Sequence, residues 1–215
     1  MRPPLTRRLL HATLLALLAV LFLPPPPAHA AGYQVDPAHS TLLLRVWKEG
    51  PASVFAHDHV ARATRFTGTV SYDPARPEAS VVAVEAEAAS LVMDEPTYRR
   101  RFELPPIKEV NRREIQKTMR GPEQLEVDRY PKISFRSTRV DSLGNGQLRV
   151  TGDLTLHGQT RDVTFPATVE MRGAYLHATA TFRFRQSDFG VTPYSFGNAV
   201  ANRDEVEMQI ELLAK

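Results

Sequence analysis

Apolar and polar residues alternate along most of this chain. Residues 146–171 show the pattern most clearly. Leu148, Val150, Gly152, Leu154 and Leu156 fall at every second position, and after His157-Gly158-Gln159-Thr160 so do Val163, Phe165, Ala167, Val169 and Met171. Between them stand Arg149, Thr151, Asp153, Thr155, Asp162, Thr164, Thr168 and Glu170. Side chains on a strand alternate between faces, so this stretch predicts an antiparallel hairpin with one apolar and one polar face. The pattern recurs in Leu42/Leu44/Val46, Phe66/Gly68/Val70/Tyr72, Val82/Val84/Ala86/Ala88, Ile133/Phe135/Ser137, Leu176/Ala178/Ala180/Phe182/Phe184 and Val206/Met208/Ile210/Leu212.

Alternation stops between residues 93 and 131. Residues 97–102 predict a helical turn before Pro105-Pro106. Residues 112–120 predict a helix, with Asn111 as N-cap, Glu114 in the capping-box place, and Ile115 and Met119 on one face. Gly121-Pro122 stops it. The basic residues of this segment are interleaved with Glu103, Glu109, Glu114 and Glu123, which reads as a solvated helix face more than as an anion site.

The expectation is therefore all-β: about eight antiparallel strands with a short helical insertion around residues 97–127. Strands in this number remove their exposed edges by closing into a barrel, and a barrel of this size either fills with side chains or holds one small ligand. A two-sheet sandwich is the alternative. Alternation alone does not say which face is inside, since a membrane barrel turns its apolar face outward. A single Trp, and hence no aromatic girdle, together with the charged helical insertion, favour the form with the apolar face inside.

The first thirty residues lie outside this pattern. Arg2, Arg7 and Arg8 precede an apolar run at residues 9–23, then Pro24 to Pro27 and the small-x-small Ala28-His29-Ala30. That order predicts a cleaved export signal over residues 1–30 and a single domain over residues 31–215. An uncleaved anchor and a twin-arginine signal are the variants. Without its three leader arginines the chain has 24 basic and 24 acidic residues, so its charge gives no reason to expect nucleic acid binding. It has no cysteine, which excludes disulfides, thiolate catalysis and Cys-ligated metal sites.

Four stretches resemble the YceI-like family of exported lipocalin-like barrels: Tyr33-Gln-Val-Asp-Pro-Ala-His-Ser40, Tyr130-Pro-Lys-Ile-Ser-Phe-Arg-Ser137, Gly152-Asp-Leu-Thr-Leu-His-Gly-Gln-Thr-Arg-Asp-Val163, and Asp188-Phe-Gly-Val191 followed by Asp204-Glu-Val-Glu-Met208. The resemblance implies a periplasmic, non-enzymatic binding protein whose lumen holds an isoprenoid or similar lipid chain, such as an isoprenoid quinone or polyprenyl lipid. It implies no membrane span after signal cleavage, and a homodimer is open. The predicted lumen residues are Leu44, Val84, Ala86, Phe135, Leu154, Phe165, Ala180, Phe182 and Met208. The small Gly152 and Ala167 are expected to leave room for the ligand chain.

One other constellation carries possible chemistry. His57-x-His59 on a strand would point both imidazoles the same way, toward Zn, Cu or Ni, with His39, His157 or Asp58 completing the site. The alternative is a loop in which these groups bond to backbone or to one another. Asp58 beside His59 also has the makings of an acid–base pair, but no nucleophile is located beside it.

Overall fold

A computed structural model describes residues 31–197 and 199–215; the predicted export signal lies outside the described residues. The elements are β1 (Ala31–Gln34), β2 (Thr41–Glu49), β3 (His59–Ala63), β4 (Phe66–Tyr72), β5 (Val81–Glu87), β6 (Leu91–Met93), α1 (Pro96–Arg101), α2 (Glu109–Arg120), β7 (Lys132–Gly144), β8 (Gln147–Leu156), β9 (Gln159–Arg172), β10 (Tyr175–Arg185), β11 (Ser195–Phe196) and β12 (Val200–Ala214). All twelve strands belong to one sheet, which replaces the sandwich alternative with a single curled surface.

Twelve strands reduce to the expected eight runs plus the short β11. β1–β2, β3–β4 and β5–β6 are each one run with a local break. The first break is at Asp36-Pro37, where proline can donate no ladder bond. The Ser40 hydroxyl repairs part of the loss: it accepts from the Leu213 N–H at 2.9 Å and lies 3.3 Å from the Leu213 carbonyl. The break at residues 88–90 is a single 3-10 turn.

The runs follow one another as an antiparallel meander, and the first one closes it. β1 pairs with β4, while β2 pairs with β12. At the join, Gln34 and Lys215 exchange both backbone hydrogen bonds, at 2.8 and 2.9 Å, and the Lys215 ammonium meets the Asp36 carboxylate at 2.9 Å. The connections at residues 50–58, 94–131, 157–158 and 186–199 then share one end of the barrel, called the upper end here. Residues 73–80, 145–146 and 173–174 lie at the lower end.

The apolar face is inside. Leu42, Phe66, Val70, Val140, Leu148, Val150, Phe165, Leu176 and Leu212 form one buried cluster across the runs. The outer face carries charge: Arg183 pairs with Glu205 and Glu207, Lys132 with Glu85, and Arg139 with Asp141. This is the reverse of a membrane barrel, whose outward band is apolar.

β6 ends the hydrogen-bonding path of the sheet and, among the described residues, pairs only with β3. α2 covers that edge. The Gln116 amide donates to the Leu91 carbonyl at 2.8 Å, and its oxygen accepts from the Met93 N–H at 2.8 Å. One side-chain amide thus does for the edge what a neighbouring strand would do. The helix begins at Glu109, three residues before the start expected from Asn111, with Lys108 at the N-cap and no side-chain cap. Glu109 replaces the capping box: it favours the helix N-terminus by its charge and pairs with Arg112 and Arg113 at 2.7 and 3.1 Å. Asn111 and Glu114 lie within the helix.

Candidate functional site: the barrel lumen

Inward side chains from every long run surround a cavity of about 220 Å³. One buried water needs roughly 10–15 Å³ measured this way, so the space exceeds a packing defect by an order of magnitude. The wall is almost wholly apolar. All nine predicted lumen residues are on it: Leu44 from β2, Val84 and Ala86 from β5, Phe135 from β7, Leu154 from β8, Phe165 from β9, Ala180 and Phe182 from β10, and Met208 from β12. Alternation is the reason. One inward residue fixes the inward set along its strand up to the next break or bulge, and antiparallel register carries that set to the neighbouring strand. Val84 faces Phe135, Phe135 faces Leu154, and Phe182 faces Met208.

The hollow is at mid-height. Leu44, Val84, Phe135, Ala180, Phe182, Met208 and Ile210 point inward yet are only half-buried, whereas Leu148, Leu176 and Leu212 nearer the lower end are buried. Phe135, Phe165, Phe182 and Phe184 line one side: Phe135 lies 5.4 Å from Phe165, Phe165 stacks on Phe182 at 4.4 Å and 11°, and Phe184 is backed by the buried Phe189, edge-on at 5.4 Å.

The structure corrects one expectation about room in the lumen. Ala167 lines the cavity, but Gly152 does not. A Cβ at Gly152 would collide with the Arg136 carbonyl and sit 2.6 Å from the Phe135 ring and 2.7 Å from Ser137 Cα. The missing side chain lets β7 approach and lets Phe135 lie flat, at the point where the β7–β8 register shifts between Ser137 and Arg139. Alternation did not mark Leu125, Val191 or Ser80 as lumen residues, because they sit in turns and irregular segments. Leu125 and Val191 close the upper end. Ser80 brings a buried hydroxyl with no hydrogen-bond partner to the cavity wall.

His57 and His59 are not part of this wall. His57 lies exposed before β3, not on it. Partial desolvation and the neighbouring His59, Arg99 and Lys48 push its pKa below the usual histidine value. His59 opens β3 and bonds through Nδ1 to the Asp94 carboxylate at 2.7 Å. Among the described residues, no group of three or more His, Cys, Asp or Glu is arranged to hold a metal ion. His39 is near Asp36 at 3.2 Å. His157 packs on Tyr130 at 4.3 Å between ring centres, with Nδ1 3.3 Å from the Phe189 carbonyl. Asp58 accepts from the Lys48 N–H at 3.0 Å. The histidines are therefore spread over separate structural contacts.

A buried ionic cluster lies beside His59. Asp94 follows β6 in a left-handed conformation, φ 54°, with its side chain fully buried. It accepts from His59, from the Val60 N–H at 3.2 Å and from Arg99 Nη1 at 2.6 Å. Arg99 in turn donates to the carbonyls of Pro105 at 2.7 Å and Asp58 at 2.8 Å. Burial works against the Asp94 charge, but the bonds from His59, Arg99 and Val60 outweigh it, and the carboxyl is held below its usual pKa. The cluster ties α1, the 50–58 connection and the end of β6 together at the upper end.

Comparison with known proteins agrees with this architecture. A UPF0312 protein of Vibrio cholerae is 30% identical over 212 residues, covering 94% of this chain and 98% of that one. One from Shewanella putrefaciens is 32% identical, covering 82% and 85%. The fold is similar to that of Burkholderia cenocepacia BcnA, with a TM-score of 0.66 and 22% identity over 84% of this chain and 99% of that one. It is also similar to a Campylobacter jejuni YceI protein, with a TM-score of 0.53 and 16% identity over 71% and 82%. Residues 33–214, the whole span from the closing strand β1 to the end of β12, match the YceI-like domain, and the chain belongs to that family.

Proposed function

We propose that this protein binds the apolar chain of an isoprenoid or similar amphiphilic lipid within its lumen, as a carrier and without chemistry on it. The observation that carries this reading is the hollow itself: a ring of inward apolar side chains that remain partly uncovered at mid-height. Apolar surface left unpacked inside a barrel forgoes roughly 25 cal/mol per Å², and a hydrocarbon chain recovers about 0.8 kcal/mol per buried CH₂. An isoprene unit of five carbons is then worth at most ~4 kcal/mol, before the cost of ordering the chain. The flat Phe165–Phe182 stack suits the planar double bonds of such a chain better than a branched polar solute.

Native mass spectrometry on protein purified without detergent is the test. A bound species whose mass matches a lipid, released by solvent extraction, supports the reading. Protein that is lipid-free and takes up neither an isoprenoid quinone nor a polyprenol contradicts it.

The order of charge, apolar run and small residues in residues 1–30 supports export and a periplasmic place of action. Cell fractionation with N-terminal sequencing tests this. A mature N-terminus near Ala31 in the periplasmic fraction is the expected result, and an intact Met1 in the cytoplasm the contrary one.

A further inference from the structure

Two connections at the upper end, together called the tip, have no charged residue in residues 50–56 or 194–200, in a chain that is 24% charged. Phe55 is 85% exposed, Val54 77% and Phe196 73%. These side chains stand on hydrogen-bonded backbone. Residues 53–55 form a 3-10 turn closed by the Phe55 N–H to the Ala52 carbonyl and the Ala56 N–H to Ser53. Phe196 sits in β11, paired with Val200. The two tips are joined, since the Ala52 N–H donates to the Ala199 carbonyl at 2.9 Å. Gly50, at φ 100°, allows that contact, because a Cβ there would lie 2.6 Å from the Ala199 oxygen.

From this we infer that the tip is a membrane-docking surface, which inserts Val54, Phe55 and Phe196 into the interfacial layer of a lipid bilayer. The inference rests on the lumen reading and names where the cargo is exchanged. Two observations choose the occupant. Exposed aromatic and aliphatic side chains on a stretch without charged residues are those that partition into the interface of a bilayer. The tip also continues into the lumen, since the 186–199 connection that carries Phe196 also supplies Gln186 and Val191 to the cavity wall.

Residues 50–56 and 194–200 carry no charge of their own, and the Lys48 ammonium that reaches them is bonded to the Ala56 carbonyl at 3.1 Å, so binding should depend little on anionic lipid or salt, unlike adsorption driven by basic residues. The test is flotation of residues 31–215, which contain all the described strands, with phosphatidylcholine vesicles in low and high salt. The comparison is Phe55→Ser with Phe196→Ser. The expected result is flotation of the wild type at both salt concentrations and partition at least about tenfold weaker for the double variant. Absence of wild-type flotation, equal flotation of the variant, or flotation only with anionic vesicles in low salt would overturn the inference. So would wild-type dimerisation that the same two changes abolish, since the occupant would then be a second copy. Native mass spectrometry of both proteins separates the two claims: retained cargo with failed flotation ends the docking inference alone, and absent cargo counts against the lumen reading alone.

Discussion

Replacing Asp94 by Asn isolates one charge in a polar cluster in which Asp94 and Arg99 are both buried. Asn has the same shape and tolerates the left-handed conformation that Asp94 adopts, so the backbone is not strained. What changes is electrostatic. The Arg99 guanidinium is only 2% exposed; it keeps its carbonyl partners Pro105 and Asp58 but loses its counter-charge. His59 loses a carboxylate acceptor at 2.7 Å. Breaking a buried pair by removing one partner costs about 3–5 kcal/mol, because the remaining charge stays buried. With a urea slope of about 2 kcal/mol per molar, the unfolding midpoint should fall by roughly 1.5–2.5 M. A second variant, Asp94→Asn with Arg99→Met, removes both charges and should regain at least about half of the loss. Urea unfolding followed by circular dichroism measures both. A drop under about 1 kcal/mol for Asp94→Asn, or a double variant less stable than the single one, would refute the view that this cluster holds the upper end together.

The same carboxylate has a defined pH signature. Its folded pKa lies below the ordinary value of about 3.9, so the stabilisation is present above that value and is lost as pH falls through the folded pKa. The gap between wild-type and Asp94→Asn midpoints should therefore be widest near pH 6 and close toward pH 2; a constant gap would contradict the assignment. Gly152→Ala should destabilise by at least about 1–3 kcal/mol, since its Cβ meets backbone on β7 as well as the Phe135 ring. A neutral result in thermal unfolding would mean that β7 and β8 are not so close. Gln116→Leu leaves the Leu91 carbonyl and Met93 N–H without their side-chain partner and should cost about 1–3 kcal/mol. Hydrogen exchange at Met93 should rise in that variant, and unchanged exchange would place the protection elsewhere.

The sequence pattern made the lumen legible and left the upper end obscure, for physical reasons. Alternation reports which face a strand residue occupies, so Leu44, Phe135 or Met208 could be placed inward from neighbours alone. It does not report where a run is interrupted without changing direction, as at Asp36-Pro37 and at the 3-10 turn of residues 88–90. Gly152 fell on the inward phase and looked like open space, but its role is set by the distance to β7, a tertiary quantity. Asp94 and Arg99 were not singled out as a pair. Arg99 is the first of three consecutive arginines, and His59, the third member, comes from a strand 35 residues before Asp94. The helix start failed differently. Asn111 and Glu114 have capping-box spacing, but the Glu109 pairs with Arg112 and Arg113 extend the helix past them.

The central claim is that the space between Phe165, Ala180 and Met208 is where an apolar chain lies. Ala180 is half-buried, inward, and flanked by Ala167 and Ile210 on the adjoining strands. Ala180→Phe would fill the hollow with the protein's own ring, while the strand backbone stays as it is. Uptake of a tritiated polyprenol should saturate near one per wild-type protein and fall at least about tenfold in the variant, whose unfolding midpoint stays at or above the wild-type value. Equal uptake by a folded Ala180→Phe protein would show that the chain does not lie in the lumen.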